Sequence, residues 1–380
     1  MSRIRDFGST ELSLREKLLQ LNWEMVALIS LISVIGFAML FSAANGNFSP
    51  WASRQMARFG IGIVFMLVIA VIDIKSWLKV SYGLYAISLA LLATVEVMGS
   101  IGMGAQRWLD LSVIQLQPSE TMKIALVMAL ARYSHGLEAD DAGRLRYLIL
   151  PLILIAAPIA LVLRQPDLGT AVVLGLIGVV MLWLAGARVW QFMVVGGATI
   201  AAVPVGWQFL HGYQKQRVLT FLNPETDPLG AGYHIMQSKI ALGSGGMFGK
   251  GFLSGTQSHL NFLPEKQTDF IFTMLAEEFG LVGGIGLIAL YALLMGYCVF
   301  IAFHCRSQFA RLLAMGLVTN FFFYVFINIA MVMGLVPVVG VPLPLVSNGG
   351  TALLAVLISF GLVMSCWIHR ATYINRRGAA

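Results

Sequence analysis

Apolar residues recur along this chain in runs of about twenty, separated by short polar or Gly/Pro-rich punctuation. The runs predict helices over 24–43, 55–72, 78–98, 117–133, 147–163, 168–186, 189–210, 270–303, 310–333 and 350–369. A bilayer-spanning helix needs roughly 20 mostly apolar residues. The expected fold class is therefore an all-α polytopic membrane protein with about ten transmembrane helices. Residues 1–22 form an N-terminal cytoplasmic segment, in which Leu14–Leu21 reads as an interfacial amphipathic helix. Residues 23–370 form one ten-helix domain and 371–380 a cytoplasmic tail. Ser42-Ala43-Ala44 faintly resembles a cleavage site, but the first run exceeds a signal-peptide core and many spans follow, so it reads as a retained helix.

Composition agrees with this pattern. Of 380 residues, 58% are hydrophobic and 11% charged, against roughly 25% charged in a soluble domain. A soluble enzyme, a disordered chain and a disulfide scaffold are thereby excluded. The net charge of +7 is dispersed, with no basic run of the kind that binds nucleic acid. The three cysteines, Cys298, Cys305 and Cys366, lie in apolar segments without zinc-type spacing and read as buried thiols. With the N-terminus inside, fifteen of the 25 Lys/Arg fall in short cytoplasmic segments, and five of the other ten sit in one long outer loop. The positive-inside rule then puts both termini in the cytoplasm.

That outer loop, 211–269, is the only long polar connection, and ordered loops of such length usually carry function. It contains Gly243-Ser244-Gly245-Gly246 and Gly249-Lys250-Gly251. A phosphate-binding P-loop is excluded, because Ser244 stands where its first glycine belongs and Gly251 where its Ser/Thr belongs. The glycines are better suited to a close approach of backbone to the membrane surface. The last connection, 334–350, is apolar but broken by Pro337, Pro342 and Pro344, so it should be re-entrant or packed on protein.

Candidate chemistry gathers on the outer side. Asp269 stands where the loop enters the eighth span, with Thr273 one turn below it; Thr268 or Asp269 would equally serve as a helix cap. Glu120 and Lys123 share a face of the fourth span, as a structural ion pair or as the lining of a polar cavity. Arg107-Trp108 and Arg164-Gln165-Pro166-Asp167 offer phosphate-binding arginines, though Trp108 also suits an interface anchor and Asp167 a turn. Glu277 and Glu278, about two turns inside Asp269, would make a proton relay. These features are compatible with a transporter and with an enzyme acting on a lipid-linked substrate.

Four stretches carry a specific resemblance: RQPDLGT at 164–170, RVLTFLNPETDPLGAGYHIMQSKIALGSGGMFGKG at 217–251, LPEKQTDFIF at 263–272 and PLPLVSNGGTALL at 342–354. With QPSE at 117–120 and the ten-span layout, the chain resembles the SEDS family (shape, elongation, division and sporulation) of bacterial cell-wall proteins over nearly its whole length. It is closer to the elongation branch than to the division branch, with Gln267 a departure where that branch often has His.

The resemblance implies an inner-membrane peptidoglycan glycosyltransferase that polymerises lipid II on the extracytoplasmic side by an inverting mechanism. The family's loop aspartate falls on Asp269, which it implies to be the general base or a ligand of a divalent cation (Mg or Mn). Residues expected at the substrate are Glu120, Lys123, Arg107, Arg217 and Lys250, the basic ones near the leaving diphosphate. The partners implied are lipid II, membrane lipid, a class B penicillin-binding protein (a transpeptidase) and other proteins of the elongation complex, with no nucleic acid. Two rival classes remain on the sequence: a lipid II flippase or other ion-coupled transporter using Glu277 and Glu278, and a scaffold that activates another enzyme.

Overall fold

The computed structural model describes residues 13–102, 105–110, 115–138, 141, 143–209, 212–223, 231–260, 262 and 265–375. The side chains of Arg107 and Arg217 lie outside the described residues, as do parts of the stretches 217–251 and 263–272 and of the tail 371–380. In chain order the elements are α1 Leu14–Leu19, α2 Trp23–Ala43, α3 Trp51–Val71, α4 Ile74–Met98, β1 Ser100–Gly102, β2 Ala105–Asp110 and β3 Gln115–Leu116. There follow α5 Pro118–His135, α6 Leu145–Arg164, α7 Leu168–Leu184, α8 Val189–Phe209, α9 Gly212–Leu222, α10 Ala231–Ser244 and α11 Thr256–His259. The chain closes with α12 Ile271–His304, α13 Gln308–Val332 and α14 Gly350–Ile368.

Every apolar run predicted as a span is helical, and several starts are written in the sequence. Ser13 and Glu16 form a capping box on α1, and hydrogen bonds from Ser13 hold the Glu16 carboxyl below its ordinary pKa. Asn22, Asp73 and Asp167 cap α2, α4 and α7 through their side-chain oxygens. Pro118 occupies the first turn of α5, where its missing N–H costs nothing.

Among the described residues, seven helices (α2, α3, α4, α6, α12, α13 and α14) are long and apolar enough to cross a membrane; α7 is apolar but shorter. The protein is thus a multi-pass, helical membrane protein. Helix α5 carries Glu120, Lys123 and Arg132, yet nearly all its residues are buried, because it packs against α4, α7 and α13 at the centre of the bundle. A helix sheathed in protein need not offer lipid an apolar surface. The lipid-compatible surface lies elsewhere, in exposed residues such as Val64, Val68, Ile149, Ile153, Met193 and Ile285. Helices α3 and α14 run in close contact: a Cβ on Gly361 would stand 2.7 Å from the Met66 carbonyl oxygen.

Three features depart from the hydropathy reading. Strands β1, β2 and β3 form a small antiparallel sheet in that order, with Leu109 opposite Leu116. Its strands are too short for alternation to stand out from the neighbouring spans. The long loop holds α9, α10 and α11. Helix α12 is interrupted at Gly280, whose φ of 65° and ψ of −162° are not helical. Apolar residues resume on both sides of Glu277 and Glu278, so the run reads through that point and hydropathy alone does not reveal the break. The last connection behaves as expected, with Leu343, Leu345 and Val346 buried.

Candidate active site

Asp269 is the last residue but one of a turn, 265–270, that leads into α12. The turn is organised by Glu265, whose backbone oxygen accepts from the Thr268 and Phe270 amides and whose carboxylate accepts from Gln267 (3.2 Å) and the Thr268 hydroxyl (3.1 Å). The helix N-cap is Phe270, which has no capping side chain. Thr268 therefore turns back to Glu265 instead of capping α12. Burial holds the Lys266 ammonium below the ordinary lysine pKa.

The proline-broken segment 342–350 packs on this turn. The Ser347 hydroxyl donates to the Thr268 carbonyl (2.5 Å), and the Asn348 amide donates to the Gln267 carbonyl (2.9 Å). From α3, Gln55 donates to the Ser347 carbonyl (2.8 Å) and Arg58 to the Asn348 side-chain oxygen (3.2 Å). From α13, the Asn328 amide donates both to the Asp269 carbonyl (2.9 Å) and to the Val341 carbonyl (2.7 Å). The backbone of Asp269 is thus fixed by neighbours, and its half-buried carboxylate lies near Gly340, where an added Cβ would stand 3.5 Å from Oδ2. Thr273, expected to share its face, instead meets Ser238 of α10 at 2.8 Å.

A second polar cluster lies inside the bundle. Lys123 Nζ is 2.8 Å from Glu120 Oε1, and both side chains are buried. The Tyr324 hydroxyl of α13 donates to Glu120 Oε2 and accepts from Lys123. Asp167 caps α7, accepting from the Thr170 amide (3.1 Å) and hydroxyl (2.8 Å). Each acid borders an apolar groove. One, of about 440 Å³, runs between α3, α4, α5 and α14 with Glu120 in its wall. The other, of about 430 Å³, lies between α7, α13 and 336–339 with Asp167 in its wall.

Lys250 belongs to neither cluster. Its ammonium pairs with Glu277 at 2.8 Å and donates to the Thr256 hydroxyl at 2.7 Å. Glu278 accepts from Ser42 and faces His259 at 3.4 Å. The two glutamates read as a relay are therefore both engaged by residues of the loop or of α2. Arg107 stands on β2 and Arg217 on α9. Arg164 is exposed and pairs with Glu96 at 3.5 Å.

Sequence reasoning passed over Tyr324 and Asn328. The signal was present: Asn320, Tyr324 and Asn328 follow at four-residue intervals in an apolar run, one polar stripe on an otherwise hydrophobic helix. All three are buried. Gln55, Arg58 and Ser347 carried no such pattern, because their partners come from distant elements. Among the described residues, no group of three or more His, Cys, Asp or Glu could hold a metal ion.

Comparison with known proteins bears directly on this arrangement. The model of the FtsW/RodA/SpoVE cell cycle protein family matches residues 16–372. The peptidoglycan glycosyltransferase MrdB of Escherichia coli (strain K12) is 47% identical over 345 residues, covering 90% of this chain and 92% of that protein. Among solved structures, one of a peptidoglycan synthase complex that coordinates polymerization and crosslinking superposes with a TM-score of 0.79 at 33% identity, covering 92% of this chain and 98% of its own. The rod shape determining protein RodA of Thermus thermophilus superposes with a TM-score of 0.71 at 29% identity, over 93% of this chain and 98% of its own. The agreement extends from α1 through α14, and on it this chain belongs to the SEDS family of FtsW/RodA-like membrane proteins.

Proposed function

We propose that the chain is a peptidoglycan glycosyltransferase of the bacterial inner membrane that polymerises lipid II into β-1,4-linked glycan by an inverting mechanism. The observation that carries the reading is the fixing of Asp269: its backbone is held by Asn328 and its turn by Ser347 and Asn348. A sugar hydroxyl is a weak nucleophile, and a carboxylate placed in advance takes its proton as attack proceeds. The acceptor's 4-hydroxyl oxygen bonds to the anomeric carbon of the donor on the face opposite the diphosphate. The bond from that carbon to the diphosphate oxygen breaks with its electron pair, and Asp269 receives the hydroxyl proton. The two grooves, each with an acid in its wall, suit two polyprenyl carriers, one for each reactant.

The leaving diphosphate gathers charge that must be neutralised. Lys123 is committed to Glu120 and Tyr324, so the role falls to Arg107, to Arg217 and to a divalent cation. Among the described residues no cluster of three acidic, His or Cys groups is present, and Asp269 is the one carboxylate that would hold such a cation beside the substrate, magnesium being commonly held by one or two carboxylates. When bound, it would supply charge neutralisation at the departing diphosphate.

Helices over all ten apolar runs, together with the fifteen of 25 Lys/Arg that fall in the short segments on the termini's side, support ten crossings with both termini cytoplasmic and Asp269 on the extracytoplasmic side. Likeness to a synthase that joins polymerization to crosslinking supports a class B penicillin-binding protein as partner within the elongation complex. The test is polymerisation of labelled lipid II by the purified chain with its partner, with and without chelator. Polymer is expected from the wild type and none from correctly folded Asp269→Ala; wild-type-like polymer from that variant would remove the base assignment.

A further inference from the structure

The break in α12 leaves a short helix, 271–279, that starts two residues after Asp269, beyond its N-cap Phe270, and ends at Gly280. Such a break strips partners from backbone groups on both sides, and buried amides and carbonyls must find others. The loop segment 245–251 supplies them. The Lys250 and Gly251 amides donate to the Glu277 and Glu278 carbonyls, both at 3.0 Å, while the Leu281 and Val282 amides donate to Gly246 (2.9 Å) and Met247 (3.1 Å). The approach is closer than any side chain allows. A Cβ on Gly249 would stand 2.1 Å from the Glu278 oxygen, and one on Gly280 would stand 2.4 Å from the Gly249 nitrogen.

Charge completes this clasp. Glu277 is fully buried at the C-terminal end of the short helix, where the helix dipole already disfavours a negative charge. Its carboxylate accepts from Lys250 (2.8 Å), the Thr256 hydroxyl (3.1 Å) and the Gln257 amide (2.9 Å). A buried carboxylate that lost its cation would be strongly disfavoured, so Lys250 controls whether the clasp stays closed. At the other end, Asn328 and Ser347 hold the turn that bears Asp269. At a rise of 1.5 Å per residue, Glu277 lies about 12 Å along the chain from Asp269, too far for Lys250 to serve the same reacting atoms.

We propose that Lys250 and Glu277 are positioning residues: by closing the 245–251 clasp on the break in α12, they fix the short helix that follows Asp269 and through it the turn that bears Asp269. This rests on the reading of Asp269 as the base. It replaces direct diphosphate binding by Lys250 with action through the helix.

The test is steady-state polymerisation of lipid II by the full-length protein with its partner, with rates normalised to folded enzyme. The variants are Lys250→Met, Lys250→Arg, Glu277→Gln and the charge exchange K250E/E277K. Lys250→Met and Glu277→Gln are expected to lose up to roughly 10²-fold in kcat with KM nearly unchanged, the size of effect that a misplacement of about 1 Å produces. In both, the acidic limb of the pH–kcat profile shifts, because the environment of Asp269 has changed. Lys250→Arg and, where it folds, the charge exchange recover most of kcat. If Lys250→Met instead raises KM at constant kcat, Lys250 binds substrate and the proposal fails. It fails equally if the variants lower thermal stability while kcat per folded enzyme and the pH profile stay unchanged. Asp269→Ala in the same assay separates the two readings: polymer from that variant removes the base, whereas the kcat response at Lys250 with Asp269 intact tests the clasp.

Discussion

Asn328 illustrates how one side chain secures a site it does not itself line with charge. Its amide is shared between the carbonyls of Asp269 and Val341, tying the entry of α12 to the segment ahead of 342–350. Asn328→Leu leaves both carbonyls without that donor in a buried place, at a cost of about 1–3 kcal/mol for each. A lower unfolding temperature in detergent and a reduced rate of polymerisation are the expected outcomes, read by thermal scan and by the lipid II assay. Tyr324→Phe removes the hydroxyl between Glu120 and Lys123 but leaves their 2.8 Å pair in place. Its expected cost is about 1–2 kcal/mol of stability, smaller than that of Glu120→Ala, which strands a buried ammonium; paired thermal scans of the two variants check the order. At this scale the sequence was informative about which residues are unusual and silent about their partners. Asp269, Glu120 and Lys123 stood out because charge is rare in apolar runs. That Lys250 faces Glu277, 27 positions away, depends on a backbone path no local pattern encodes.

Helices were legible because lipid and a protein core impose the same demand, a run of apolar residues with its backbone bonded internally. Their interruptions were not. The stretch 270–303 reads as one apolar run, and only the packing of 245–251 against it explains why Gly280 can leave the helix. Two glycine substitutions separate this role from ordinary helix propensity. Gly249 has φ of 80° and no room for a Cβ, so Gly249→Ala is expected to destabilise by more than about 2 kcal/mol. Gly286, farther along α12, has nothing within 4 Å of its Cβ position, and Gly286→Ala should stay within about 1 kcal/mol of the parent. Thermal unfolding of the two variants side by side distinguishes them.

For the whole molecule, the distribution of basic residues predicts an orientation that labelling can check. Cys298, Cys305 and Cys366 are all buried, and burial pushes the Cys305 thiol up to about 12, so the parent protein should resist a maleimide. Phe248 and Tyr373 are both exposed. Phe248→Cys should react with a membrane-impermeant maleimide from outside intact cells, and Tyr373→Cys only after the membrane is opened. The reverse pattern would invert the topology. The multi-pass helical character was readable at this scale, since long apolar runs follow from an apolar solvent around the helices. The way α5 is sheathed by α4, α7 and α13 was not, because a central helix and a lipid-facing one differ in their neighbours more than in their own residues.

The interruption at Gly280 also sets a depth. Residues 281–304 rise about 36 Å, which already exceeds the roughly 30 Å hydrocarbon thickness of a bilayer. The membrane can therefore be crossed by that portion alone, and its passage into lipid need carry neither Glu277 nor Glu278. Residues 271–279 are surplus to the crossing and form, with the loop that grips them, a storey above the hydrocarbon. On the proposed reading, Asp269 stands at the far edge of that storey, at the level expected for the sugars of a lipid-anchored substrate whose carrier chains lie below.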